Sequence, residues 1–242
     1  MLLLTNIVNS TGEFLLSHYV REHAIALVPN GSHPELLPQV ADTLISSERR
    51  EIIKSFYSSY FVWVNALSFV IQAFLVSRVI RRIGVRRALF VLPVIAFGAY
   101  AAIGMIGGLA ITRAAKTAEN ATDYSLQNTV WQTLFLKTDR AVKYKAKATM
   151  DTFVVRVGDA ISAIVIAVGI HQLHFTPRNL AWVNVGLVVV WIGIAGAIAH
   201  AHRLTKHEDQ GRQPMRLPTG LIWATSSSSS RLRANRLRRS GA

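Results

Sequence analysis

Six blocks of apolar residues, separated by short clusters of charge, constrain this chain more than any other feature. A bilayer core takes about 20 helical residues to cross, and within it only helices or closed barrels satisfy their own backbone groups. The blocks cover residues 2–20, 57–79, 88–106, 108–136, 148–172 and 180–200. The sequence therefore predicts an all-α polytopic membrane protein of about six transmembrane helices. A length of 242 residues would otherwise suggest one or two soluble domains. Composition overrides that expectation: charged residues make up 17% of the chain, against roughly 25% in soluble domains, and they are clustered.

The placement of basic residues sets the expected orientation. Arg78, Arg81, Arg82, Arg86 and Arg87 follow the second block, and Lys137, Arg140, Lys143, Lys145 and Lys147 follow the fourth. Under the positive-inside rule both turns are cytoplasmic, and with six spans both termini are too. This distribution explains the net charge of +14 better than a nucleic-acid partner does. The expected organisation is a six-helix transmembrane domain at 1–202, with an external loop at 21–55 that includes a short amphipathic helix from Pro38 to about Lys54. A basic, Ser/Arg-rich, disordered cytoplasmic tail follows at 203–242, its composition too polar to form a core. The first residues carry no basic region or small-residue cleavage site, so the first helix is expected to stay in the mature protein.

The second, third and sixth blocks read as plain apolar spans, whereas the other three carry polar stripes. In the fourth, Arg113, Lys116, Glu119, Asn120, Asp123, Tyr124, Gln127, Asn128 and Gln132 fall within one membrane-length segment. Positions 113, 116, 120, 123 and 127 follow helical spacing and share a face. The first block places Asn6, Asn9, Ser10, Glu13 and Ser17 on one side, and the fifth adds Arg156 and Asp159 at i, i+3, with Asp151 nearer its start. An ionised group at bilayer depth costs several kcal/mol, so such residues face a protein interior or a watery cavity. Lys116 with Glu119, and Arg156 with Asp159, are also spaced to pair within their own helices and act as packing glue.

Other chemistries fail on their motifs. No cysteine is present, which excludes disulfides and thiol chemistry. No phosphate-cradling G-x-x-x-x-G-K-[ST] loop occurs. His171, His174, His200 and His202 lie at block ends without acidic companions, and no His-Glu or Ser-His pair sits at a workable spacing within a block. No catalytic residue, metal site or cofactor is expected, and the chain does not read as an enzyme. Gly104 and Gly108, with Gly107 beside them, mark a close helix approach or the tight turn between the third and fourth blocks.

The stretch Glu119-Asn120-Ala121-Thr122-Asp123-Tyr124-Ser125-Leu126-Gln127-Asn128-Thr129, then Leu134-Phe135-Leu136, Lys143-Tyr144-Lys145-Ala146-Lys147-Ala148, Asp151-Thr152-Phe153 and Arg156-Val157-Gly158-Asp159, closely resembles the ATP/ADP translocase (NTP/NDP exchange transporter) family, relatives of the major facilitator superfamily. The basic turn Arg81-Arg82-Ile83-Gly84-Val85-Arg86-Arg87 is similar to the loop joining the second and third helices of a facilitator half. The resemblance implies the C-terminal six-helix half of a twelve-helix carrier. Such a half needs an N-terminal half, a self-dimer, or some other partner. The implied function is a secondary transporter, an antiporter or permease in a bacterial cytoplasmic (inner) membrane, exchanging nucleotides or another anionic metabolite by alternating access. The expected pathway is Asn9, Glu13, Arg113, Lys116, Glu119, Asn120, Asp123, Gln127, Asn128, Arg156 and Asp159. Within it Arg113, Lys116 and Arg156 would contact anions, and Glu119, Asp123 and Asp159 would gate or couple protons. Asn9, Asn120, Gln127 and Asn128 would hydrogen-bond substrate. The competing class is a truncated or non-transporting membrane scaffold that binds a partner through the same polar face.

Overall fold

The computed structural model of the chain describes residues 2–135 and 150–211. The basic turn expected from Lys137 to Lys147 and the expected tail beyond residue 211 lie outside the described residues. Two compact units are present, 1–197 and 198–242. The described residues contain helices and no strands.

Helix α1 covers Leu2–Leu27 and stops before Pro29, with Gly31 taking the positive φ (86°) that the following turn requires. Helix α2, Pro38–Val70, starts with proline in its first turn, where the missing N–H has no intrahelical acceptor to serve. No glycine or proline interrupts residues 39–83. The helix accordingly continues through a π-turn at Ile71–Leu75 into α3, Val76–Ala88. The chain breaks direction within that element at Gly84 (φ 79°), inside the arginine-rich turn. The expected external loop at 21–55 is thus mostly helix, and only 28–37 connects α1 to α2.

Helix α4, Val91–Met105, keeps Pro93 in its first turn. Gly107 (φ 73°) and Gly108 (φ 87°) then reverse the chain into α5, Leu109–Thr122. A second π-turn, Asp123–Gln127, leads into α6, Asn128–Phe135. A third, Met150–Val154, opens α7, Val155–His171. Pro177 begins α8, Pro177–Gly211.

Within residues 1–197, α1 is the hub and packs against α2, α5 and α7. The main apolar cluster joins it to α4 and α8 through Val8, Leu15, Leu92, Ala96, Tyr100, Ile103, Leu180, Ala181, Val188 and Trp191. A smaller cluster of Leu16, Val20, Tyr60 and Val64 ties α1 to α2. Val76, Ala88, Leu126 and Val130 tie α3 to the second π-turn and α6. At Gly104 a Cβ would lie 3.0 Å from the Trp182 ring, so the missing side chain lets α8 approach α4.

Three helical stretches are long and apolar enough to cross a membrane: Pro38–Val85, Thr152–His171 and Pro177–Ala197. Val91–Met105 is apolar but shorter. The first and fourth expected spans are helical too, and their polar stripes keep them off this list of plainly apolar helices. Much of the outward surface is apolar, with Phe61, Trp63, Phe69 and Phe74 of α2 and its π-turn all exposed. These features are compatible with a membrane protein.

Candidate functional site

Part of the expected polar face of the fourth block, at Lys116 and Asn120, is turned inward, where α5 meets α1, α2 and α4. Lys116 and Asn120 are one turn apart on α5, with Glu119 beside them, so all three project toward the hub helix. Lys116 is fully buried, Glu119 is 4% exposed and Asn120 1%. The Lys116 ammonium donates to Asn9 Oδ1 at 2.7 Å and to Glu119 Oε2 at 3.0 Å, and lies 3.5 Å from Glu13 Oε1. Asn120 Nδ2 donates to Glu13 Oε1 at 2.8 Å and to the Tyr60 hydroxyl at 2.9 Å. The network therefore couples α1 to α5 twice, once through an ammonium and once through an amide.

Tyr100 of α4 completes it from the other side. Its hydroxyl lies 2.9 and 3.1 Å from the two Glu119 oxygens and 3.0 Å from the Val8 carbonyl. One phenolic proton cannot serve a carboxylate and a carbonyl together. Gly12 makes this convergence possible, because a Cβ there would collide with the Tyr100 hydroxyl and stand 3.0 Å from Lys116 Nζ. Two carboxylates, Glu13 and Glu119, face one ammonium. The cluster is closed to solvent at Lys116 and opens at Glu13, whose side chain is 38% exposed.

A second polar joint lies between α1 and α7. Asn6 Nδ2 donates to Asp159 Oδ1 at 2.9 Å and to the Val155 carbonyl at 2.8 Å, and Ser10 Oγ donates to Asp159 Oδ1 at 3.1 Å. Asp159 thus pairs across helices rather than with Arg156, which is exposed and has no ion-pair partner among the described residues. Gly158 permits the approach, since a Cβ there would come within 2.6 Å of Asn6 Nδ2.

The remaining expected residues are dispersed. Asp123 is half-buried in the second π-turn and has no hydrogen bond or ion pair among the described residues. Gln127, 2% exposed, leaves both amide atoms without a partner among the described residues. Asn128 is exposed and accepts from Gln132 Nε2 at 3.2 Å. Arg113 points into a separate groove between α2 and α5. The three cations expected to contact an anion share no partner: Lys116 is enclosed among carboxylates, Arg113 is in the groove, and Arg156 is on the outside of α7.

Three contributions came from blocks read as plain apolar spans: Tyr60 in the second, Tyr100 in the third and Asn184 in the sixth, whose amide donates to the Val8 carbonyl at 3.3 Å. A tyrosine within a long apolar run was the available signal, because a buried phenol hydroxyl needs a partner. No group of three or more metal-ligating side chains occurs among the described residues. No family profile, curated protein or solved structure matches the chain.

Proposed function

We propose that the chain is a membrane-embedded helical half of a secondary transporter, of about six spans, working by alternating access in the bacterial inner membrane with both termini cytoplasmic. The buried Lys116 network is the observation that carries this reading. An ammonium shared between Glu119 at 3.0 Å and Glu13 at 3.5 Å has two carboxylate positions available. Sliding α1 against α5 exchanges one for the other. A buried network of this kind is maintained at a cost in membrane proteins and marks pathways and proton relays.

The proton balance around Tyr100 supplies a coupling step. When Glu119 takes up a proton, its carboxyl O–H donates to the Tyr100 oxygen while Tyr100 donates to the Val8 carbonyl. Every group then has a donor or acceptor, and Lys116 is released toward Glu13. Loss of that proton restores the Lys116–Glu119 pair. Glu13, the exposed end, connects the cluster to the aqueous path.

Nucleotide as cargo is supported by the sequence resemblance around 119–159. Two carboxylates against one ammonium favour a proton or cation at the network itself, so an anionic cargo would bind elsewhere along the path. A second reading has its own observation: Lys116, Glu119 and Asn120 all find partners inside the bundle, as a structural clasp in a non-transporting scaffold would. Uptake of labelled ATP by proteoliposomes carrying the full chain separates the two. The transporter reading expects uptake that falls at least about tenfold in Lys116→Ala and Glu119→Gln, the loss of a charge-assisted contact, with Arg156→Ala as a third arm. No uptake by the wild-type chain under any imposed proton gradient sinks it.

A further inference from the structure

The groove between α2 and α5 is separate from the Lys116 network. It is an open groove of about 870 Å³ between Phe56, Trp63 and Leu67 on α2 and the Arg113 face of α5. Ala110, Ala114 and Ala118 recur every fourth residue, so their small side chains form a continuous floor about 12 Å long. Trp63 and Leu67 supply the apolar wall.

One charged group breaks that apolar lining. The Arg113 guanidinium sits 5.1 Å from the Phe56 ring centroid and donates to Ser59 Oγ at 3.1 Å. No carboxylate pairs with it among the described residues, in contrast to Lys116. Two contacts, to a ring face and a hydroxyl, hold the fork in place while leaving most of its N–H donors unused among the described residues.

The order along the helices gives the groove a direction. Arg113 is four residues into α5, about 6 Å from that helix's first residue, at the end of the bundle away from the arginine-rich turn of α3. Trp63 and Leu67 lie farther along α2 toward that turn, as Thr117 and Ala118 do along α5. The cation is therefore at the outer mouth and the apolar trough runs inward from it. That is the polarity of a lipid in a bilayer leaflet, head outward and chain inward.

We propose that this groove is a binding site for an anionic phospholipid, its phosphate held by the Arg113 guanidinium and one acyl chain laid over Ala114 and Ala118 against Trp63 and Leu67. Planar guanidinium suits a phosphate because two N–H groups donate to two oxygens at once. The site rests on the membrane-embedded reading but not on any transported cargo. Its lipid would wedge α2 against α5 and so bear on the joint that carries Asn120 and Tyr60.

The test reconstitutes the full chain in nanodiscs holding equal amounts of dioleoyl phosphatidylglycerol and dioleoylglycerol, which share chains and differ in the phosphate head, and reads co-purified lipid by native mass spectrometry. The wild-type chain is expected to retain phosphatidylglycerol over dioleoylglycerol by at least about tenfold, the effect of a charge-assisted hydrogen bond. Arg113→Gln should bring that ratio close to one. Ala114→Trp, at an exposed position where the added ring fills the trough without entering the core, should reduce retention of both lipids. Thermal melting of each variant checks that it is folded. Equal retention of the two lipids by the wild type, an unchanged ratio in Arg113→Gln, or displacement of the bound lipid by ATP would overturn the proposal. Release of the chain from membranes by alkaline carbonate would instead overturn the membrane-embedded reading beneath it, so the two failures are distinct.

Discussion

Lys116 is fully buried, and its energetic position follows from its neighbours. Removing one member of a buried ion pair leaves the other without compensation, a loss of about 3–5 kcal/mol. Lys116→Met should therefore destabilise the folded chain by about that much, read as a shift in chemical unfolding in detergent. Adding Glu119→Gln removes one of the stranded carboxylates, and the double variant should be more stable than Lys116→Met alone. If the two substitutions simply add, Lys116 and Glu119 do not interact as their 3.0 Å separation requires. Gln127 makes the opposite case: a buried amide with neither atom partnered among the described residues has given up hydration without replacement. Gln127→Met should raise stability by about 1–3 kcal/mol. It should also reduce uptake, because a group kept at a cost to stability is explained by use. A stabilised variant with full uptake would assign Gln127 no part in transport.

At the scale of elements, α1 meets α5 and α4 closely because position 12 has no side chain. Gly12→Ala places a methyl group against the Tyr100 hydroxyl and Lys116 Nζ, and overpacking of this kind costs about 1–3 kcal/mol. The expected outcome is a lowered melting temperature together with loss of uptake, whereas Gly98→Ala, with open space around its Cβ position, should leave both near wild type. The helices themselves were legible in the sequence, since apolar runs broken by Gly84 and by Gly107-Gly108 dictate where the chain turns. The inward-facing Lys116, Glu119 and Asn120 were legible as well, because charge within an apolar run has few tolerable places to point. Their partners were less so. Tyr100 reaches Val8 across 92 positions and Asn184 reaches it across 176, and a single polar tip in an apolar helix has no periodicity to reveal its direction. Arg156 and Asp159 illustrate the limit of local spacing. An i, i+3 separation permits a pair, yet Asp159 turns to Asn6 and Ser10 because α1 packs closely along α7 and presents two donors.

For the whole molecule, two causes leave three helical stretches that satisfy length and apolarity together: polar stripes lower the apolarity of the first and fourth expected spans, and Val91–Met105 is apolar but short. Glu13 of α1 and Arg113, Lys116 and Glu119 of α5 are engaged between helices or at a groove, so the average over such a segment understates how apolar its outward face is. The central claim concerns access: the network around Lys116 reaches water through Glu13, first from one side of the membrane and then from the other. The chain has no cysteine, so a single Asn9→Cys replacement reports on that site alone. Labelling of this thiol in oriented proteoliposomes by a membrane-impermeant maleimide, added outside or trapped inside, tests the claim most directly. Modification from both sides, shifting in proportion when ATP or a proton gradient is imposed, is the predicted result. A thiol that reacts from one side only under every condition, or from neither, would contradict it.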